Sequence, residues 1–130
     1  MDSRRGVLFG THVLVIEDDR DGREILEFVL RYFGAEVTAV TGAEEALALF
    51  AHIEPDVVIA DMMLGSGDDG LRLLKDARRR KTRAPFIAIS AQDFDADQME
   101  GAGFAAYLRK PLDHVTLVDT VLSVIDRRRG

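Results

Sequence analysis

The sequence predicts an α/β domain built on a parallel sheet with helices on both faces, and three observations carry that expectation. Strand-like apolar runs and amphipathic helical patterns alternate five times along the chain. Runs such as Val13-Leu14-Val15-Ile16 are continuous aliphatic blocks, as in strands buried on both faces. No long linker, internal repeat or low-complexity stretch interrupts the succession, so the 130 residues make one domain.

The first strand is the run from His12 to Ile16. Residues 23–33 then place Ile25, Leu26, Val29, Leu30 and Phe33 at helical spacing, with Gly34 where a helix C-cap belongs. Asp19 or Asp21 is the candidate N-cap of this helix. Residues 35–40 alternate weakly as a second strand, and Thr41-Gly42-Ala43-Glu44 reads as a capping box opening a helix that runs to Phe50. The third strand follows Pro55-Asp56 and reaches Ala60. Gly65-Ser66-Gly67-Asp68-Asp69-Gly70 is a flexible turn before a helix that turns Leu71, Leu74 and Ala77 inward. A fourth strand over residues 85–89 ends at Ser90, and a short helix is expected between Asp95 and Glu100. Residues 104–108 form the fifth strand. Lys110-Pro111 then precedes a long helix carrying Val115, Val118, Leu122 and Ile125 on one face.

Composition narrows the function. With 47% hydrophobic and 31% charged residues the chain is ordinary globular protein. No apolar stretch reaches the ~20 residues that cross a bilayer, and the run at Val7-Leu8-Phe9 is too short for a signal peptide. Residues 1–10 read as a loose leader and residues 128–130 as a tail, leaving 11–127 as the domain. The absence of cysteine excludes disulfides and thiolate metal sites, which makes the cytoplasm the expected location. A net charge of −6 speaks against direct nucleic-acid binding. The basic clusters Arg78-Arg79-Arg80-Lys81-Thr82-Arg83 and Arg127-Arg128-Arg129 follow helices, where cations offset the dipole.

The chemistry gathers at one rim. In a doubly wound sheet, ligands bind outside the carboxyl ends of the strands. Glu17-Asp18-Asp19 ends the first strand and Asp61 the third. Carboxylates crowded there repel one another unless a hard divalent cation neutralises them. Ser90 ends the fourth strand and Lys110 the fifth. Each suits one task in phosphoryl transfer. Asp18 and Asp61 would take magnesium, with Glu17 acting through water; Asp61 can be the nucleophile; Lys110 and the Ser90 hydroxyl can hold phosphoryl oxygens.

Taken together, Val13-Leu14-Val15-Ile16-Glu17-Asp18-Asp19, Pro55 to Leu64, Ile87-Ala88-Ile89-Ser90-Ala91 and Tyr107-Leu108-Arg109-Lys110-Pro111 resemble the motifs of the receiver domain of bacterial response regulators. The resemblance runs from His12 to about Asp126. It implies a flavodoxin-like (βα)5 fold with strand order 2-1-3-4-5. It further implies Mg2+ (Mn2+ as a substitute) held by Glu17, Asp18, Asp61 and the Met63 carbonyl, Asp61 as phospho-acceptor, and a switch pair of Ser90 and Tyr107. The bond between Lys110 and Pro111 is typically cis in the family. The implied donor is a histidine kinase or phosphotransfer protein. The implied output is a changed surface made by the fourth helix, fifth strand and fifth helix, read by a downstream protein or by a phosphorylation-dependent homodimer. Met63 and Gln92 stand where the family tunes acyl-phosphate lifetime. Gly65 replaces a usual proline, the loop to Gly70 is longer by one residue, and the short span from Ser90 to Lys110 implies a stunted fourth helix.

His12, His52 and His114 share no metal-ligand spacing, and the side chains of Met62, Met63, Phe86 and Phe104 read as core. An aspartyl phosphatase of the haloacid-dehalogenase type would need an acid where Met63 stands. A flavin-binding loop would not tolerate Glu17-Asp18-Asp19. The main alternative is a degenerate receiver that acts as a phosphorylation-independent interaction module. With no output domain visible after the fifth helix, a stand-alone regulator, a phosphate shuttle and a piece of a hybrid kinase all remain open.

Overall fold

The computed structural model describes residues 4–63 and 70–129. The elements run β1 (His12–Ile16), α1 (Arg20–Tyr32), β2 (Glu36–Val40), α2 (Ala43–Leu49), β3 (Val57–Asp61), α3 (Gly70–Arg79), β4 (Phe86–Ser90), α4 (Ala96–Ala102), β5 (Ala106–Arg109) and α5 (His114–Arg129). All strand pairings are parallel, in the order β2-β1-β3-β4-β5. The fold is therefore flavodoxin-like, and the chain reverses direction across the sheet between β1 and β3, the position at which such sheets place their sites. The turn expected over residues 65–69 lies outside the described residues.

Two cores flank the sheet, and the strand period of two divides the aliphatic blocks between them. Val13, Val15, Val57, Ile59, Ile87 and Ile89 meet α1 and α5. Leu14, Ile16, Val58, Ala60, Phe86 and Ala88 meet α2, α3 and α4. Continuous burial of β3 and β4 explains why their sequences show no polar alternation.

Several elements differ from expectation in instructive ways. Helix α1 begins three residues earlier than its apolar pattern, because Asp19 caps it: its carboxylate accepts from Gly22 N at 2.8 Å. Its buried stripe is Leu26, Leu30 and Phe33, whereas Ile25 is 63% exposed beside Phe28 at 71%. Gly34, at φ +103°, ends the helix in the left-handed region, and a Cβ there would meet Phe9 N at 3.0 Å. The capping box ahead of α2 does not form. Gly42 is the N-cap, without a side-chain bond, and Thr41 N bonds instead to Glu45 at 3.1 Å. Helix α4 is short, as expected, and Asp95 caps it. Phe104 precedes β5 and is buried under α3 and α4. Met62 is buried as expected, but Met63, also expected in the core, is 53% exposed because the chain has left the sheet after Asp61. On α5, Val115 faces solvent while Leu117, Val118, Val121, Val124 and Ile125 are buried. Arg78 bonds Thr82 O, Arg127 bonds Ala105 O and Arg128 bonds Asp56 O, so these cations hold main-chain carbonyls near helix ends.

The opening residues are not a loose leader where the structure describes them. Leu8 is fully buried in the α1–α5 core, and its N–H donates to Phe33 O at 2.8 Å. Arg4 pairs with Asp119 of α5 at 2.5 Å, and the Arg5 guanidinium lies 5.4 Å from the Tyr32 ring centroid. Leu8→Ala should cost about 2–5 kcal/mol in urea unfolding, the range for buried leucines. An unchanged midpoint would mean this segment contributes nothing to the fold.

Candidate functional site

The carboxyl ends of β1, β3, β4 and β5 open on the same rim. The pairing of Ile16 with Ala60 and of Asp61 with Ile89 sets Glu17 and Asp61 side by side, one step beyond the last β1 pair. Glu17 is wholly buried, Asp61 nearly so and Asp18 exposed. One carboxylate oxygen from each of the three lies within 4.8 Å of the others. Lys110 reaches across from the end of β5. Its Nζ lies 2.8 Å from Asp61 Oδ2 and also contacts Glu17 Oε1. The Lys110-Pro111 bond is cis. Met63 N donates to Asp61 Oδ1 at 2.8 Å, so both oxygens of Asp61 are engaged.

This arrangement drives the two carboxyls apart in acidity. Burial pushes Glu17 up to about 7, Asp61 pushes the same way, and Lys110 only partly opposes them. Burial would raise Asp61 too. The hydrogen bonding with Glu17, Lys110 and the Met63 amide outweighs it and holds Asp61 below the usual range. Lys110 is raised despite desolvation, because both carboxylates favour its charged form. Asp61 is thus favoured in its ionised form, nearly buried beside the Lys110 ammonium. Glu17 Oε2 has no hydrogen-bond partner although it is buried. A buried acceptor without a donor is costly, and a hard divalent cation fits this oxygen-only donor set.

Ser90 and Tyr107, the expected switch pair, are joined through one residue. Ser90 is fully buried and its Oγ accepts from Gln92 N at 3.0 Å, while Tyr107 Oη donates to Gln92 O. Phe94 meets the Tyr107 ring edge-on at 6.0 Å, and Arg109 pairs with Asp93. The β4–α4 loop is therefore fastened to β5 on the side facing α4. Two α1 residues at the site are absent from the sequence expectation. A Cβ on Gly22 would lie 3.0 Å from Glu17 Oε1, and Arg23 donates to Glu17 O at 3.0 Å and to Asp18 O at 3.4 Å. An arginine on a helix surface gives no signal of this until the end of β1 is folded beside it.

A five-stranded flavodoxin-like sheet with an acid cluster, a lysine and a buried hydroxyl on one rim is the arrangement expected of a signalling receiver. The chain matches the family model of the response regulator receiver domain over residues 13–122 and belongs to that family. It is 35% identical over 122 residues to the sensory transduction protein RegX3 of Mycobacterium bovis and of Mycobacterium tuberculosis. That alignment covers 92% of this chain and 52% of the relative, so the chain spans about half the length of these proteins. Among solved structures, the receiver domain of Francisella response regulator 1452 is similar at TM-score 0.82 and 30% identity, over 92% of this chain and 99% of that one. A Clostridium thermocellum receiver domain is similar at TM-score 0.83 and 27% identity, over 92% and 97%. Receiver domains are signalling modules of two-component systems rather than turnover enzymes. Among the described residues, no helix is long and apolar enough to cross a membrane.

Proposed function

We propose that the domain accepts a phosphoryl group on Asp61 from the phosphohistidine of a histidine kinase or phosphotransfer protein in the cytoplasm. The observation that carries this reading is the state of Asp61, nearly buried and held ionised between Lys110 and the Met63 amide. An ionised oxygen needs no general base. It attacks phosphorus as the P–N bond to the donor imidazole breaks, and the imidazole leaves with the electron pair and takes a proton. Glu17, Asp18, Asp61 and the Met63 carbonyl would hold Mg2+, or Mn2+ in its place, which supplies neutralising charge to the phosphoryl oxygens when bound.

The residues do the rest. Lys110 moves from a two-carboxylate contact to a phosphoryl oxygen, and the Ser90 hydroxyl leaves the Gln92 amide to donate to another. Gln92 carries both the donor to Ser90 and the acceptor of Tyr107, so this step loosens the fastening between the β4–α4 loop and β5. The α4–β5–α5 surface is then altered for a downstream protein or for a phosphorylation-dependent homodimer. On the other side of the rim, Ile25 and Phe28 of α1 form an exposed apolar stripe that suits a helical partner presenting the phosphohistidine.

Incubation with a small phosphodonor and Mg2+ should add one phosphoryl group, read by intact mass, and Asp61→Asn should add none. No gain in either protein would support the interaction-module alternative.

A further inference from the structure

Just past strand β1, the carbonyls of Glu17 and Asp18 accept hydrogen bonds from a helix side chain rather than from a strand. The last residues of β1 pair with Val40 and Ala60, and Glu17 N donates to Val40 O. Past that point the chain turns sharply into α1, and Glu17 and Asp18 lie in the turn. Their carboxylates point at the rim, so their carbonyls need donors from elsewhere. Arg23, one turn into α1, supplies them: one guanidinium nitrogen lies 3.0 Å from Glu17 O and 3.4 Å from Asp18 O. The same helical turn presses on the acid loop from the other side. Asp19 caps it through Gly22 N, and Gly22 leaves just enough room for the Glu17 carboxylate.

We infer that Arg23 is a positioning residue of the metal site. By bridging the carbonyls of Glu17 and Asp18, it fixes the peptide between two ligating residues, so that both carboxylates are aligned before a cation arrives. The inference rests on the metal-dependent reading above. Two effects of the guanidinium oppose each other. Its charge repels a nearby cation, whereas its hydrogen bonds preorganise the ligands. The charge is directed at carbonyls and is partly wet, so screening weakens the repulsion. Preorganisation therefore wins, and losing Arg23 weakens Mg2+ binding.

The test compares the intact protein with Arg23→Met, which keeps the stem, and Arg23→Lys, which keeps the charge on a nitrogen one bond short of the guanidinium nitrogen that bridges the carbonyls. Mg2+ affinity is measured by calorimetry well below the thermal midpoint of each protein, and that midpoint is recorded without metal. Arg23→Met should bind Mg2+ about three- to tenfold more weakly, the range expected for one or two hydrogen bonds, and Arg23→Lys should fall between. A lower midpoint with unchanged Mg2+ affinity would make Arg23 structural only and overturn the inference. Tighter binding would show that repulsion dominates, and would also overturn it. If Arg23→Met does not fold, Arg23→Gln, whose shorter neutral side chain cannot reach both carbonyls, takes its place, and an affinity equal to that of the unaltered protein overturns the inference. Absence of Mg2+ binding in the unaltered protein would sink the metal reading itself, a result distinguishable from all of these.

Discussion

Replacing Lys110 with alanine should destabilise the metal-free protein by about 3–5 kcal/mol at pH 8, the range found when one partner of a buried ion pair is removed. An exposed pair would contribute roughly 0–1 kcal/mol, so burial decides which magnitude applies. The Glu17 side chain has no exposure and that of Asp61 only 8%. The Lys110 ammonium contacts both, and without it two carboxylates face each other in a nearly dry site. The protein has one inexpensive escape, which is to keep a proton on Glu17, already raised to about 7. The loss should therefore be larger at pH 8 than at pH 6. Millimolar Mg2+ should recover most of it, and the stabilisation by Mg2+ should exceed that of the unaltered protein, because the cation then replaces the counter-charge that Lys110 gives both acids. Urea unfolding at the two pH values, with and without Mg2+, checks each part. Equal stability of the two proteins at pH 8 would mean that Lys110 does not offset Glu17 and Asp61. Phosphorylation by a small donor should also slow, since the phosphoryl oxygens lose a point charge.

Much of this site was legible because its chemistry conflicts with its surroundings. Acids directly behind Val13-Leu14-Val15-Ile16 and at the end of Val57-Val58-Ile59-Ala60 can be explained by a counter-charge, and the sheet rule places that counter-charge on one rim. Strand order was less accessible from the residues, since aliphatic blocks are interchangeable, and it came from the resemblance of the motifs. Helix faces were harder still. Ile25 and Phe28 lie on an apolar stripe that overlaps the buried one of Leu26, Leu30 and Phe33, and periodicity cannot say which stripe meets the sheet. Leu8 was misjudged because its partner, the Phe33 carbonyl, is distant in sequence. The Thr41 cap shifted to Glu45 for a local reason: Gly42 already takes the N-cap place, so the glutamate one turn on is the nearer acceptor. The state of Ser90 and Tyr107 depends on the path of the loop between them. Motif spacing identifies both residues but does not reveal that the Gln92 main chain ties them together.

Without divalent cation, stability should fall as the pH rises from about 5 to 8, and Glu17→Gln should flatten that slope. The ordinary value for Glu17 is 4.5 and the folded protein raises it to about 7. A raised carboxyl binds its proton more tightly in the folded state than in the unfolded one. Its stabilising contribution is complete below 4.5 and is lost as the pH climbs through about 7. The full difference is about 3.4 kcal/mol, at 1.36 kcal/mol per pH unit. Asp61 behaves oppositely. Held below 3.8, it contributes above that pH and loses its contribution only in more acid solution, outside this window. Glutamine keeps the shape of the neutral acid, and its oxygen can still accept from Lys110. Its amide nitrogen, however, would take the place of the unpartnered Oε2, which reduces the gain. Glu17→Gln should therefore be more stable than the unaltered protein by about 1–2 kcal/mol at pH 8 without metal. With Mg2+ the order should reverse, because an amide offers the cation no charge. Thermal unfolding across pH 5–8 with chelator, repeated at saturating Mg2+, reads both halves. A metal-free slope of the opposite sign would show that Glu17 is ionised throughout and that Lys110 outweighs its burial.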